Sequence, residues 1–161
     1  MTGNNISGES ARKVQSALEG AGVPTTVKEM PASTRTAKEA AATIGCQVAQ
    51  IAKSLVFRAS RSDRAILVIA SGINRVSETL LAELVGEPIE RATPEFVRER
   101  TGFVIGGVPP IGHPSILPTW MDRDLLQYEK VWAAAGTPFA VFEITPTDLQ
   151  RVTGASVIDL K

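Results

Sequence analysis

The chain has 161 residues, of which 43% are hydrophobic and 21% charged, and its 17 basic and 17 acidic side chains cancel. That length suits one domain with a core large enough to need neither disulfide nor metal, and the absence of an overall positive field excludes a protein that grips long stretches of nucleic acid, so no DNA partner is expected. No segment approaches the ~20 uninterrupted apolar residues of a membrane helix, and residues 1–9 show no basic region followed by an apolar core, so a cytoplasmic protein with no membrane partner is expected. One histidine and one cysteine fall short of a conventional zinc site and of an internal disulfide; no metal and no cofactor are expected.

After a short polar leader, Val14, Ala17, Leu18 and Ala21 recur at helical spacing with Gly20 and Gly22 at the end, which predicts a first amphipathic helix. Thr25 to Met30 reads as a short strand and Pro31-Ala-Ser as a turn. Thr36-Ala-Lys-Glu39 is a capping box that opens a second helix through Ala40, Ala41 and Ile44, stopped by Gly45. Cys46, in apolar company, reads as a small buried hydrophobe rather than a nucleophile. Gln50 to Arg58 gains β-branched and aromatic residues toward a strand with Lys53 at its mouth, and Ala65 to Ala70 is an apolar run of central-strand length, so the two predict a hairpin around Ser60 to Asp63. Ser77-Glu78 starts a third helix with Leu80, Leu81, Leu84 and Val85 as its buried face and Gly86 beyond its end. Thr93-Pro94-Glu95 starts a fourth by placing a cap, a proline at the first helical position and an acid where the helix dipole favours it.

The stretch from Thr101 to His113 begins as an apolar run that reads as a buried strand, then passes through Gly106-Gly-Val-Pro-Pro-Ile-Gly112. Glycines let backbone approach backbone or ligand, and paired prolines fix φ and withhold two N–H donors, so this loop is built to hold a shape. Two readings are open: a tight connection between strands, or a pocket wall. Downstream, Ile116 to Met121 and Val131 to Ala135 read as strands, Asp122 to Gln127 as a helical turn, and Phe139 to Ile144 as a further strand. Thr145-Pro-Thr-Asp148 repeats the cap-plus-proline signal for a last helix ending at Gly154. The element order suggests an α/β arrangement of the α+β type, one mixed sheet with helices packed around it.

Taken together these pieces resemble the YbaK/ProX-type aminoacyl-tRNA editing domains, related to the editing insertion of bacterial prolyl-tRNA synthetases. The resemblance is carried by Thr36 with Ala40-Ala41, Gln50-Ile-Ala-Lys53-Ser-Leu, Gly72 with Arg75, Thr101-Gly102, Gly106 to Gly112, and Leu149-Gln-Arg-Val-Thr-Gly154. It implies a single editing domain over residues 1–161 with a central mixed, partly barrel-like β-sheet surrounded by helices. It also implies a free-standing deacylase that acts in trans on the ester at the 3′ acceptor end of a mischarged tRNA, with an aminoacyl-tRNA synthetase as a further partner to consider. Such a second sieve has a general rationale, since a hydrophobic pocket separates substrates differing by one methylene by only about 1–3 kcal/mol. The alternative is a non-catalytic member of the same fold that binds tRNA, a synthetase or a small ligand; the intact Lys53 and glycine/proline loop weigh against it.

By the same resemblance, Lys53 matches the family's functional lysine, although residue type alone makes it a solvated surface charge. As a compact cation it suits electrostatic stabilisation at the ester, whereas acting as a base would require a pKa far below ~10.4. Gly106, Gly107, Val108, Pro109, Pro110 and Gly112 take the role of the aminoacyl pocket wall, and a ribose hydroxyl of the substrate is implied to help activate water. His113 has two open readings, a base with an ordinary pKa of ~6.5 or a structural cap on the loop. Arg58 and Arg75 are candidates for tRNA phosphates, against the plain reading of solvated surface arginines. Ile44, Val48, Ile105, Val108 and Ile111 are candidates for the apolar lining.

Overall fold

The computed structural model describes residues 8–161, and the expected polar leader lies mostly outside them. In chain order the elements are α1 (Glu9–Gly20), β1 (Lys28–Glu29), α2 (Ala37–Ile44), β2 (Ile51–Ala59), β3 (Arg64–Ser71), α3 (Glu78–Val85), β4 (Ile89–Arg91), α4 (Pro94–Thr101), β5 (Thr119–Asp122), β6 (Val131–Ala134), β7 (Ala140–Ile144), α5 (Pro146–Thr153) and β8 (Ser156–Ile158). Short 3-10 turns at Val48–Gln50 and Arg123–Gln127 complete them.

The strands form one mixed sheet in the order β1-β7-β6-β2-β3-β5-β8, with β4 added beside β2. The sheet stays open, with β1 and β8 as its ends. β2 and β3 form the expected hairpin, in register from Ala52 opposite Ser71 to Ala59 opposite Arg64. Asp63 occupies a positive-φ position (61°) in its turn, a conformation that the short polar Asp side chain tolerates better than most. β3 is buried from Ala65 to Ser71, as a central apolar run requires. Side chains of alternate residues define two apolar layers. Ala52, Leu67, Ile69, Met121, Ala133 and Phe142 pack with α1 and α5 in one, and Phe57, Ile66, Val68 and Leu81 pack in the other.

Four helices are capped as their sequences predict. The hydroxyls of Thr36, Ser77, Thr93 and Thr145 accept from the backbone N–H of Glu39, Leu80, Phe96 and Asp148. Four expectations change. Only Lys28 and Glu29 of the Thr25 to Met30 segment pair as a strand, while the preceding Val27 N–H is taken by the Gln15 side chain. The apolar run after Thr101 is not a strand: Gly102 ends α4 in a left-handed cap and the Thr101 hydroxyl accepts the Phe103 N–H. Phe103 therefore enters the core while Val104 and Ile105 stay 44% and 40% exposed. Leu84 is 42% exposed rather than part of the buried face of α3, which rests on Leu81. The strand foreseen from Ile116 begins only at Thr119, because Pro118 cannot donate and offers its carbonyl to Leu67 instead.

Candidate active site

A cavity of about 430 Å³ opens along β2. It is lined by the start of α2 and the preceding Thr34 and Arg35, by Arg91 at the end of β4 and Ala92 beyond it, by Ile105, Gly106 and Val108, and by Trp132 to Ala134 of β6. It reaches both faces of the sheet. Lys53, Leu55 and Phe57 line it from one face, and Ala52, Ser54 and Val56 from the other. Ala40, Ile51 and Trp132 make a small apolar cluster on the α2 side, where the Lys28 ammonium stands 5.2 Å from the Trp132 ring centroid.

Lys53 is half-buried in this wall, and its Nζ donates to the Gly72 carbonyl at 3.4 Å. Burial pushes its pKa below the usual lysine value; nearby Arg91 and Arg75 add to that and the Asp122 carboxylate opposes it. The Gly72 turn is itself held from behind. Buried Asp122 accepts from the Ser71 N–H at 3.0 Å and from Asn74 Nδ2 at 2.8 Å, and the Ser71 hydroxyl donates to the Ala49 carbonyl. The lysine's partner is thus fixed by a buried polar network, which favours a single ammonium position.

The glycine/proline loop divides into a part at the cavity and a part behind it. Gly106 and Val108 line the cavity, together with Ile105. Gly106 has φ +92°, and a Cβ there would lie 2.6 Å from Arg35 Cγ, so its bare backbone leaves room for the arginine. Gly107, Pro109, Pro110 and Gly112 do not line the cavity. At Gly107 a Cβ would meet the Thr137 backbone at 2.7 Å, and the Gly107 carbonyl accepts from the Gly136 N–H at 2.9 Å. His113 also stands away from the cavity. Its Nε2 bonds the Pro109 carbonyl at 2.8 Å, its ring meets Phe103 edge-on at 6.2 Å, and burial lowers its pKa.

Of the other expected lining residues, Ile44 is at the cavity, and Val48 and Ile111 are not. Arg58 does not line it; its guanidinium bonds Asp63 and Glu90, each at 2.5 Å. Arg75 acts on Lys53 electrostatically without lining the cavity. Cys46 is half-buried against the α2 cluster, and burial raises its thiol pKa. Arg35, Arg91 and Ser54 are among the cavity residues that were not anticipated as site residues. The Ser54 Oγ is buried with no hydrogen-bond partner among the described residues. Among the described residues no cluster of His, Cys, Asp or Glu is arranged to hold a metal ion, and no helix is long and apolar enough to cross a membrane.

The fold and site therefore define a mixed α/β domain whose cavity, floored by small aliphatic side chains, combines a tethered lysine with an arginine rim. Residues 31–152 match the model of the aminoacyl-tRNA editing domain, and the chain belongs to that family. It is 54% identical to a candidate trans-editing enzyme for prolyl tRNA synthetase of known crystal structure, with a TM-score of 0.91 over 97% of this chain and 99% of that one. The hypothetical protein APE2540 is 33% identical with a TM-score of 0.85, covering 92% of this chain and 98% of its own. The uncharacterized protein YwhH of Bacillus subtilis (strain 168) is 33% identical over 131 residues, 81% of this chain and 83% of its own.

Proposed function

We propose that this chain is a trans-editing aminoacyl-tRNA deacylase that hydrolyses the ester of a mischarged tRNA. The observation that carries the reading is the Lys53 ammonium, partly desolvated in the cavity wall and held by the Gly72 carbonyl, in a member of the editing family. In the reaction, water adds to the ester carbonyl carbon and negative charge develops on its oxygen. The bond to the ribose oxygen then breaks, that oxygen takes a proton, and free amino acid and uncharged tRNA leave. Lys53 supplies positive charge where the oxyanion or the ribose lies, in surroundings drier than bulk water where such an interaction is stronger. Ile105, Gly106 and Val108 wall the aminoacyl group, with Gly107, Pro109, Pro110 and Gly112 keeping that wall rigid from behind. His113 fastens the loop through Pro109. Arg35, Arg91 and Arg75 meet the acceptor-end phosphates, the modest basic footprint that an unpaired RNA end needs.

The test is a panel of mischarged tRNAs carrying alanine, serine and cysteine, assayed with the purified chain and its Lys53→Ala variant. Amino acid is expected to be released by the parent chain and at least tenfold more slowly by the variant, equivalent to about 1.4 kcal/mol of transition-state stabilisation. No release across the panel would end the deacylase reading, and turnover unchanged by the substitution would remove Lys53 from the mechanism.

A further inference from the structure

The cavity coincides with a break in the sheet. β3 pairs with β2 along its length, but on the opposite edge β6 reaches only Ile51 and Ala52, and β4 only Phe57 to Ala59. The Gly72 N–H donates to the Ile51 carbonyl, which fixes the alternation along β2: Ile51, Lys53, Leu55 and Phe57 turn their peptide groups toward β3, and Ala52, Ser54, Val56 and Arg58 turn theirs the other way. On that side Ala52 meets β6, Arg58 meets β4, and the Val56 carbonyl accepts from the Ala92 N–H at 3.4 Å. Ser54 is left with its N–H and its C=O both facing the gap, where neither strand continues among the described residues. Peptide groups set away from bulk water rarely stay unpaired, and here the two unpaired groups belong to one residue.

An aminoacyl ester carries the matching pair. Its α-amino donors and its carbonyl flank one Cα, as in a single residue of a strand. We propose that the aminoacyl group binds as a one-residue addition to β2, antiparallel and directly opposite Ser54, with the Ser54 N–H donating to the ester carbonyl and the α-ammonium donating to the Ser54 carbonyl. This rests on the deacylase reading of the same cavity. The interval from Ala52 to Val56 spans about 13 Å at ~3.3 Å per residue, room for one such group and its ester oxygen.

The register has three consequences. Directly opposite residues project side chains to the same face, so the amino acid side chain joins Ser54 on the face lined by Val56, Ala92, Val97, Val108 and Ala133. That lobe suits a small aliphatic group. The antiparallel direction sends the ester oxygen and the ribose toward the Lys53 end of the gap. When the carbonyl becomes tetrahedral, the Ser54 N–H is already aimed at the developing oxyanion.

The experiment follows backbone amides of the ¹⁵N-labelled full chain during titration with 3′-deoxy-3′-(L-alanylamino)adenosine, an amide that mimics the aminoacyl end without being hydrolysed. Before ligand, the Ser54 amide is expected to exchange its hydrogen faster than those of Lys53 and Leu55, which face β3. On saturation the Ser54 resonance moves downfield and its exchange slows at least tenfold, and the propionyl analogue, lacking the α-amino group, binds at least tenfold more weakly. Binding that leaves the Ser54 amide unmoved, or equal affinity for the propionyl analogue, overturns the strand-addition geometry alone. If neither analogue binds and no mischarged tRNA is hydrolysed, the deacylase reading fails and this inference fails with it.

Discussion

Lys53 reaches back across its own hairpin to the Gly72 carbonyl, 3.4 Å away, and Gly72 follows the residue, Ser71, whose N–H is held by buried Asp122. The ammonium is therefore positioned by the turn that ends β3 rather than by a carboxylate partner in the cavity. This arrangement favours a cation held ready for an incoming negative charge, because a neighbouring carboxylate would already neutralise it.

The pH profile separates this role from that of a base. Burial lowers the Lys53 pKa, so the ammonium is lost at a pH below the usual lysine value. If Lys53 acts as a cation, the enzymatic rate, corrected for uncatalysed ester hydrolysis, falls as pH rises through that lowered pKa. A base would give the opposite slope. Single-turnover deacylation between pH 6 and 10 measures the sign, and Lys53→Ala should remove that limb.

The two adjacent glycines should fail in different ways. Gly107→Ala places a methyl 2.7 Å from Thr137 backbone atoms that cannot swing aside, so a loss of about 3 kcal/mol and a fall in Tm of roughly 6–12 °C are expected. At Gly106 the obstructing atom belongs to the flexible Arg35 side chain, and the left-handed conformation costs a non-glycine residue about 1 kcal/mol. Gly106→Ala should thus melt only a few degrees lower while losing more than tenfold in kcat/KM. Thermal melts and deacylation assays on both variants check the contrast.

His113 should matter to the fold more than to turnover. Its folded pKa is depressed, chiefly by burial, so the neutral ring is favoured in the native state. The stability it contributes is complete above its unfolded pKa of ~6.5 and is lost as pH falls through the lower folded value. Urea melts between pH 4 and 8 should show that acid-side loss in the parent chain and a flatter curve in His113→Gln, whose kcat should stay within threefold. A kcat collapse with unchanged stability would return His113 to the chemistry.

What could be read from the sequence follows the range of the interactions involved. The caps at Thr36, Ser77, Thr93 and Thr145 act over three residues, so the residues that make them sit side by side in the chain. β4 and β8 escaped notice because three residues carry too little periodicity, and both owe their existence to distant partners. Lys53 and Gly106 were legible through the family pattern. Arg35 and Arg91 were not, since nothing local distinguishes either from a solvated surface arginine. Ser54 left a faint trace: a hydroxyl between Lys53 and Leu55 falls on the same face as Ala52 and Val56, where an apolar residue would be expected.

Arginines at the cavity and arginines on the surface should separate in RNA binding. Arg58 is engaged by Asp63 and Glu90, and Arg100 bonds the same Asp63, so removing Arg58 loosens a surface network that does not line the cavity. Arg91 is different: its side chain is 80% exposed at the cavity and its one ion pair among the described residues is a loose 3.8 Å contact with Glu78. A phosphate contact contributes by releasing counterions, so its loss lowers affinity for every sequence and flattens the salt dependence by nearly one unit of slope. Affinities of Arg91→Ala and Arg58→Ala for a tRNA acceptor-stem mimic, measured from 50 to 200 mM salt, should show weaker binding with a shallower slope for Arg91→Ala. Arg58→Ala should match the parent in both while melting at a lower temperature. Equal slopes for Arg91→Ala and the parent chain would take Arg91 off the RNA path.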